Sequence, residues 1–436
     1  MDPATLAIVA FALMLVLLLL AMPVGPCMAI IGFGGMCLLI GPEPAIARLA
    51  IQTFTTSSIF LFTVVPLFIL MGLLAAEARL GDDIFVAAHT WLGRLPGGLA
   101  AASALGSTAF GAVCGDAIAG GVTMSSVALP QMRRYGYKDT LSLGTLCSGG
   151  LLGYMIPPSL ALIVFSFFTD EPIGLLFAAG LMPGLLIAAL FIVTIFVLCK
   201  RDPTLGPQGS SSTWKEKFVS LRYAWTIIAV FVAVLGGIYA GIFTPTEAGA
   251  EGAFAILVFG FIFRRWTWER LRNAFGGAVL MTGMIFLMIF GAMAFKDFLA
   301  LTEVPMNLAA GIAASGLSAL TVLAVILALH IILGLFMPVL AIMVLTLPLL
   351  FPVLVALDIN ILLFAVLMVL VVMIGALTPP VGIVVFVLCG YAQVPIMTGF
   401  RGVMPFIIAM LVGLVILIAF PEITLFLPKL ISPGLF

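Results

Sequence analysis

The sequence predicts an all-α polytopic membrane protein, an inverted repeat of about ten spans plus two re-entrant helical hairpins. Three observations lead there. First, 64% of the 436 residues are hydrophobic and only 8% are charged, whereas soluble domains are about one-quarter charged. So few charges cannot cover a chain of this length with a water-facing surface, so lipid is its main solvent. Second, landmarks recur at one offset. Pro157–Pro158 and Pro379–Pro380, Pro183 and Pro405, Pro130 and Pro352, and Pro23 and Pro245 are each 222 residues apart. Third, basic residues gather in three short segments, at 133–138, 200–222 and 264–272, as cytoplasmic loops require.

These observations divide the chain into repeat 1 (1–200), a cytoplasmic linker (201–222), repeat 2 (223–420) and a C-terminal tail (421–436). The linker carries Pro203, Pro207 and the run Gly209–Thr213. The start, Met1-Asp2-Pro3, has no basic residue before the apolar run, so 4–21 reads as a retained span. With all three basic segments inside, 4–21 runs inward, 24–40 outward and 59–76 inward. Segment 140–168 runs outward and 173–198 returns. In the second half 223–243 runs outward, 247–263 inward, 278–300 outward, 360–390 inward and 399–420 outward. Both termini then face the periplasm. Five spans per half invert the second half relative to the first, the organisation of secondary carriers.

Segments 97–132 and 319–354 are too long for one crossing and too short for two. Each is interrupted midway, at Gly111-Ala-Val-Cys-Gly-Asp-Ala117 and at Gly334-Leu-Phe-Met-Pro338, and each reads as a re-entrant hairpin. Irregular backbone at membrane depth survives only against protein or a watery cavity. The charged, Trp-bearing stretches 79–94 and 264–277 read as interfacial helices. Segment 303–317 is the positional counterpart of 79–94.

Two constellations could carry chemistry. One joins the tip Gly111, Cys114, Gly115 and Asp116 to the break Gly153, Pro157, Pro158 and Ser159. The other joins Gly334, Met337 and Pro338 to Gly375, Thr378, Pro379, Pro380 and Gly382. Paired prolines free carbonyls one turn earlier, and glycines permit close approach. Such carbonyls, with Ser, Thr or Asp oxygens, suit desolvated Na⁺, and half-helix N-termini suit an anionic group. The Na⁺ sites would lie near Gly115 and Ser159 and near Gly334 and Thr378. The competing reading makes Pro-Pro and Gly plain kinks. Asp116, a carboxylate at membrane depth, could ligate a cation, carry a proton, bind substrate or cap the hairpin.

The remaining candidates read as structural. Cys27, Cys37, Cys114, Cys147, Cys199 and Cys389 form no CxxC pair and read as small buried hydrophobes. His330 reads as a satisfied core histidine. Lys296 and Asp297 read as a locally paired, snorkelling span end, and Glu247 with Glu251 as an interface between helices or subunits. HExxH, P-loop and GxSxG patterns are absent, so no enzyme is expected. Balanced charge, 18 basic against 18 acidic, gives no nucleic-acid surface.

Pro66-Leu-Phe-Ile-Leu-Met-Gly72, Gly241-Ile-Phe-Thr-Pro-Thr-Glu-Ala248, Ile156-Pro-Pro-Ser159 and Leu377-Thr-Pro-Pro-Val-Gly382 resemble the large membrane subunit of tripartite ATP-independent periplasmic (TRAP) transporters, DctM-type. The resemblance covers essentially the whole chain. It implies an elevator fold with scaffold and transport domains, Na⁺ coupling, and import of a small carboxylated or sulfonated organic anion across the bacterial inner membrane. It also implies a small four-helix DctQ-type subunit, expected as a separate chain because the sequence opens on its first span, and a DctP-type periplasmic binding protein. Two departures stand out. The family's first tip commonly reads Ser-Gly-Ser, against Cys114-Gly115-Asp116 here, and its second reads Met-Asp, against Met337-Pro338. A single-chain sodium/dicarboxylate-type carrier is the alternative.

Overall fold

The computed structural model describes residues 2–20, 22–114, 117–208 and 213–435. Its regular elements are helices, with no strand among the described residues. The first half comprises α1 (Pro3–Leu19), α2 (Val24–Ile40), α3 (Pro42–Ser58), α4 (Val64–Glu77), α5 (Leu80–Leu92), α6 (Gly98–Cys114), α7 (Ala117–Arg134), α8 (Asp139–Leu152), α9 (Leu160–Thr169) and α10 (Ile173–Arg201). The second comprises α11 (Trp214–Tyr239), α12 (Pro245–Ile262), α13 (Trp268–Thr302), α14 (Val304–Ala314), α15 (Ala319–Gly334), α16 (Val339–Ala356), α17 (Ile361–Leu377), α18 (Ile383–Ala392) and α19 (Ile396–Ala419). The tail forms α20 (Glu422–Ile431).

Seven of the described helices start where the sequence supplies a side-chain cap. Asp2, Ser159, Thr267, Ser318 and Asn360 each accept a backbone N–H of the first turn, removing one of the orphan donors that a helix start leaves. Thr213 with Glu216 and Thr244 with Glu247 close full capping boxes on α11 and α12. Glu247 thus caps its own helix. Its oxygen accepts from Thr244 N at 2.8 Å and from Thr244 Oγ1 at 2.9 Å.

The 222-residue offset reappears in the backbone. α7 and α16 begin and end that far apart. So do the cis bonds Pro157–Pro158 and Pro379–Pro380, and the positive-φ residues Gly136 and Asp358. α5 and α14 occupy the predicted positions of counterparts. The correspondence fails at α13. Residues 264–277, expected as an interfacial helix, are a short turn and then the start of one 35-residue helix, about 52 Å long at 1.5 Å per residue. Its first-half counterpart is broken into α3 and α4 at Ile59–Thr63.

Among the described residues six stretches are at least 18 residues long and strongly apolar: Phe60–Glu77, which includes α4, then α10, α12, α13 and α19, and α16, a limb of the second expected hairpin. Other expected spans are built differently: α1 and α2 are 17 residues each, and α8/α9 and α17/α18 are each broken at a Pro-Pro.

The halves intertwine into two bodies. In the first, α2 crosses α13, and α4 packs on α12 and α13. A Cβ on Gly291 would lie 2.0 Å from Gly25 O, and one on Gly32 2.6 Å from the Ala294 backbone. Such backbone contact through small residues is how membrane helices associate where lipid removes the hydrophobic drive. In the second body α8 crosses α19, α9 meets α16 and α7 meets α18. A Cβ on Gly402 would lie 2.0 Å from Thr140 O, and one on Gly144 2.2 Å from Gly402 O. Arg133 fastens this body at its edge: it bonds both Asp139 oxygens, at 2.8 and 3.0 Å, and donates to Ala392 O at 2.9 Å. α5 bridges the bodies, packing on α6 and α11.

Candidate functional site

Each hairpin approaches the break that the sequence pairs with it, through Gly111 in the first and Gly334 in the second. α6 packs on α7 and on α8, and α15 on α16 and α17. A Cβ on Gly111 would lie 2.6 Å from Gly150 O, and one on Gly153 2.3 Å from Gly111 C. In the second half a Cβ on Gly334 would lie 2.8 Å from Val372 O, and one on Gly375 2.4 Å from Ile331 O. Gly111/Gly153 and Gly334/Gly375 are thus two backbone-on-backbone contacts that any side chain would separate. Thr108 adds a tie to the first, its hydroxyl lying 2.9 Å from Ala104 O and 3.0 Å from Gly149 O.

Around the first break, Gly153, Pro157, Pro158 and Ser159 are all buried. Ser159 caps α9 through Leu162 N at 3.3 Å, and its hydroxyl donates to Tyr154 O in a short bond. Around the second, Gly334, Gly375 and Gly382 are buried and Met337 is 8% exposed, while Pro338, Pro379 and Pro380 are exposed. Thr378, half-buried, donates to Ile374 O at 2.7 Å, which leaves its oxygen's lone pairs free to accept. Gly382 has φ +52°, where glycine is favoured. Gly115 and Asp116 lie outside the described residues, and of the Cys114 side chain nothing is described. Among the described residues no group of three or more His, Cys, Asp or Glu side chains could hold a metal ion. Among the described residues the breaks offer a cation carbonyls and the Ser159 and Thr378 hydroxyls, hard ligands of the kind that alkali and alkaline-earth ions take.

A polar cavity of about 420 Å³ adjoins the first hairpin, with Phe110, Thr123 and Ser126 on one side and Glu77, Arg79 and Arg270 on the other. Gly81 keeps the walls together, since a Cβ there would meet the Phe110 ring at 2.9 Å and Met124 Sδ at 3.3 Å. A second cavity of about 330 Å³ lies beside it among Asp82, Asp83, Arg264 and Arg265. Arg265 pairs with Asp83 at 2.6 Å and donates to Ala78 O at 3.0 Å, holding the α4–α5 corner to the α12–α13 corner. Burial pushes the Asp82 carboxyl up, and Arg79, Arg265 and Arg270 oppose that shift. No signal in the sequence joined these two corners.

Other candidates fall into structural roles. His330 is fully buried. Its Nδ1 lies 2.7 Å from Ile326 O, which can only accept, so Nδ1 donates; its Nε2 meets Thr346 Oγ1 at 3.1 Å. The ring therefore ties α15 to α16. Asp297 reaches Arg48 on α3, at 3.9 Å. Cys27, Cys147, Cys199 and Cys389 are buried and Cys37 is partly buried, all as free thiols.

An all-helical, multi-pass membrane protein whose twin hairpins dock on broken helices belongs to the class of carriers built on internal repeats. Comparison with known proteins narrows the class. The chain belongs to the DctM family: the family model for the tripartite ATP-independent periplasmic transporter, DctM component, matches residues 11–423. It is 33% identical to the sialic acid TRAP transporter permease protein SiaT of Haemophilus influenzae, over 85% of this chain and 60% of SiaT. It is 31% identical to the C4-dicarboxylate TRAP transporter large permease protein DctM of Pseudomonas aeruginosa, over 91% of this chain and 92% of that protein. Identity to the ectoine TRAP transporter large permease protein TeaC of Halomonas elongata is also 31%, over 84% of this chain and 86% of that one. The YdaH transporter of Alcanivorax borkumensis shares the fold, with a TM-score of 0.64 over 90% of this chain and 89% of its own at 13% identity.

Proposed function

We propose that this chain is the large permease subunit of a Na⁺-coupled, binding-protein-dependent importer of a small organic anion in the bacterial inner membrane. It works by an elevator motion of the hairpin-bearing body, with both termini in the periplasm. A small DctQ-type subunit and a DctP-type binding protein complete it. The relatives named for sialic acid and C4-dicarboxylates support an acidic substrate.

One observation carries the elevator reading. Arg79 and Arg270, at the basic edge of the first body, share a cavity with Phe110, next to the hairpin tip. The hairpin's own basic end, at Arg134, lies ten residues beyond Met124 on α7, about 15 Å further along a helix. If basic residues mark the cytoplasmic face in both bodies, the second body is displaced toward the cytoplasm, and the cavity opens the tip to that side. Gly111/Gly153 and Gly334/Gly375 hold each tip on its break, so a cation bound there fixes hairpin and break as one cargo-holding unit.

The test is uptake in proteoliposomes carrying this chain with its co-purifying membrane partner, driven by the loaded binding protein. Uptake that needs an inward Na⁺ gradient, and stops when K⁺ replaces Na⁺, is expected. Equal uptake without Na⁺ refutes the coupling. Full uptake by this chain alone refutes the tripartite assembly and moves the assignment to a single-chain carrier.

A further inference from the structure

We propose that the seam between the two bodies holds an acyl chain of an anionic phospholipid whose headgroup sits at Lys217. A crevice of about 620 Å³ runs between α5 and α11 on one side and α6 and α10 on the other, a volume typical of ligand pockets. Ile84, Ala88 and Leu221 face Leu105, Ala109 and Leu185 across it. Beyond the 60° bend at Arg222–Ala224 the crevice follows α11 from Ala224 to Phe231, about 10 Å. Nothing polar on its walls is free to receive a soluble anion. The Thr108 hydroxyl is placed against two carbonyls, and the Trp91 indole N–H donates to Lys217 O at 3.1 Å.

The end of the crevice marks the lipid headgroup level. The Lys217 ammonium lies 4.9 Å from the Trp214 ring and 5.8 Å from the Trp91 ring, and it makes no ion pair among the described residues. Lys215 is exposed beside it. Tryptophan and lysine at an apolar opening are the anchors of a membrane interface. They sit on the basic face, whose leaflet carries anionic lipid. A bound chain would touch Ile156 in the first break as well as α5 and α11, and so fill the gap along which the bodies meet.

The experiment uses the full chain in phosphatidylcholine proteoliposomes containing a small share of phosphatidylglycerol with a photoactivatable diazirine in its acyl chain. After irradiation, labelled peptides are mapped. Segments 84–91 and 221–231 should be labelled in excess over the openly exposed Ile408, Val412 and Val415. Unlabelled phosphatidylglycerol should compete, and phosphatidylcholine should not. Ala88→Trp should abolish the excess and leave labelling at 408–415 unchanged. Lys217→Glu, which also removes the ammonium from the Trp214 and Trp91 rings, should cut the preference for phosphatidylglycerol at least about fivefold, the factor one basic residue confers near an anionic surface. Equal labelling of both sets, an excess untouched by Ala88→Trp, or one indifferent to headgroup in the parent and in Lys217→Glu overturns the proposal.

Discussion

Gly375→Ala should loosen the seat of the second hairpin. The new methyl would stand 2.4 Å from Ile331 O, 2.7 Å from Gly334 Cα and 2.9 Å from Gly334 C. All three are backbone atoms, so no side chain can rotate away, and α15 must retreat by about 1 Å to reach the 3.4 Å where ordinary contact begins. Overpacking of this kind costs about 1–3 kcal/mol. Alanine's better helix propensity returns about 1 kcal/mol, leaving a net loss of up to about 2 kcal/mol. Gly283→Ala in α13 is the control: a methyl there meets nothing within 4 Å, so only the propensity gain remains. Thermal unfolding in detergent should place Gly375→Ala up to about 2 °C below the parent and Gly283→Ala level with it or above. If the seat helps bind the coupling ion, half-saturation for Na⁺ in uptake should rise about tenfold in Gly375→Ala, the equivalent of roughly 1.4 kcal/mol. Identical melting and Na⁺ dependence in the two variants would refute the idea that backbone contact at Gly334/Gly375 holds the hairpin.

Three further perturbations follow from single contacts. Arg265→Ala strands Asp83, whose side chain is 14% exposed, so it should cost about 2 kcal/mol, between the values of exposed and fully buried pairs; the double variant Asp83→Ala/Arg265→Ala should melt higher than Arg265→Ala alone. His330→Ala and Thr346→Val should show a coupling of about 1 kcal/mol in a double-mutant cycle of melting free energies, and strict additivity would mean that the 3.1 Å contact contributes nothing. Burial depresses His89 below its ordinary value of 6.5, so the folded state favours the neutral ring. That contribution is complete above pH 6.5 and is lost as pH falls through the depressed value. Melting followed from pH 8 to pH 5 should therefore decline more steeply in the parent than in His89→Phe.

The sequence carried much of this because lipid forces long apolar segments, and because the landmarks that interrupt them have few substitutes. The hairpins, the breaks and their pairing were readable from Gly and Pro alone. Other features depended on distant neighbours. The turn expected to separate 264–277 from the following span is overridden by a helix that Thr267 caps and that continues through Gly276 and Gly277. The capping role of Glu247 could have been read as well, since Thr244-Pro-Thr-Glu247 is a capping-box spacing. The Asp83–Arg265 and Asp297–Arg48 pairs join residues nearly 200 and 250 positions apart, and no local pattern announces them. Nor could composition say that α8 closes on α19 rather than on a helix of its own half.

That crossing has a consequence for how the protein is made. Gly144 rests on Gly402, which emerges 258 residues later in synthesis. At about 5–20 residues per second, α8 waits roughly 13–50 s for the surface it fits. During that interval the first hairpin and the break at Gly153 stand in the membrane with one wall missing, and the backbone polar groups of the break need water, lipid headgroups or insertion machinery as temporary partners. Folding of the second body is thus a late event, gated by the arrival of the last spans, and truncation anywhere before α19 leaves the first half without its closing face.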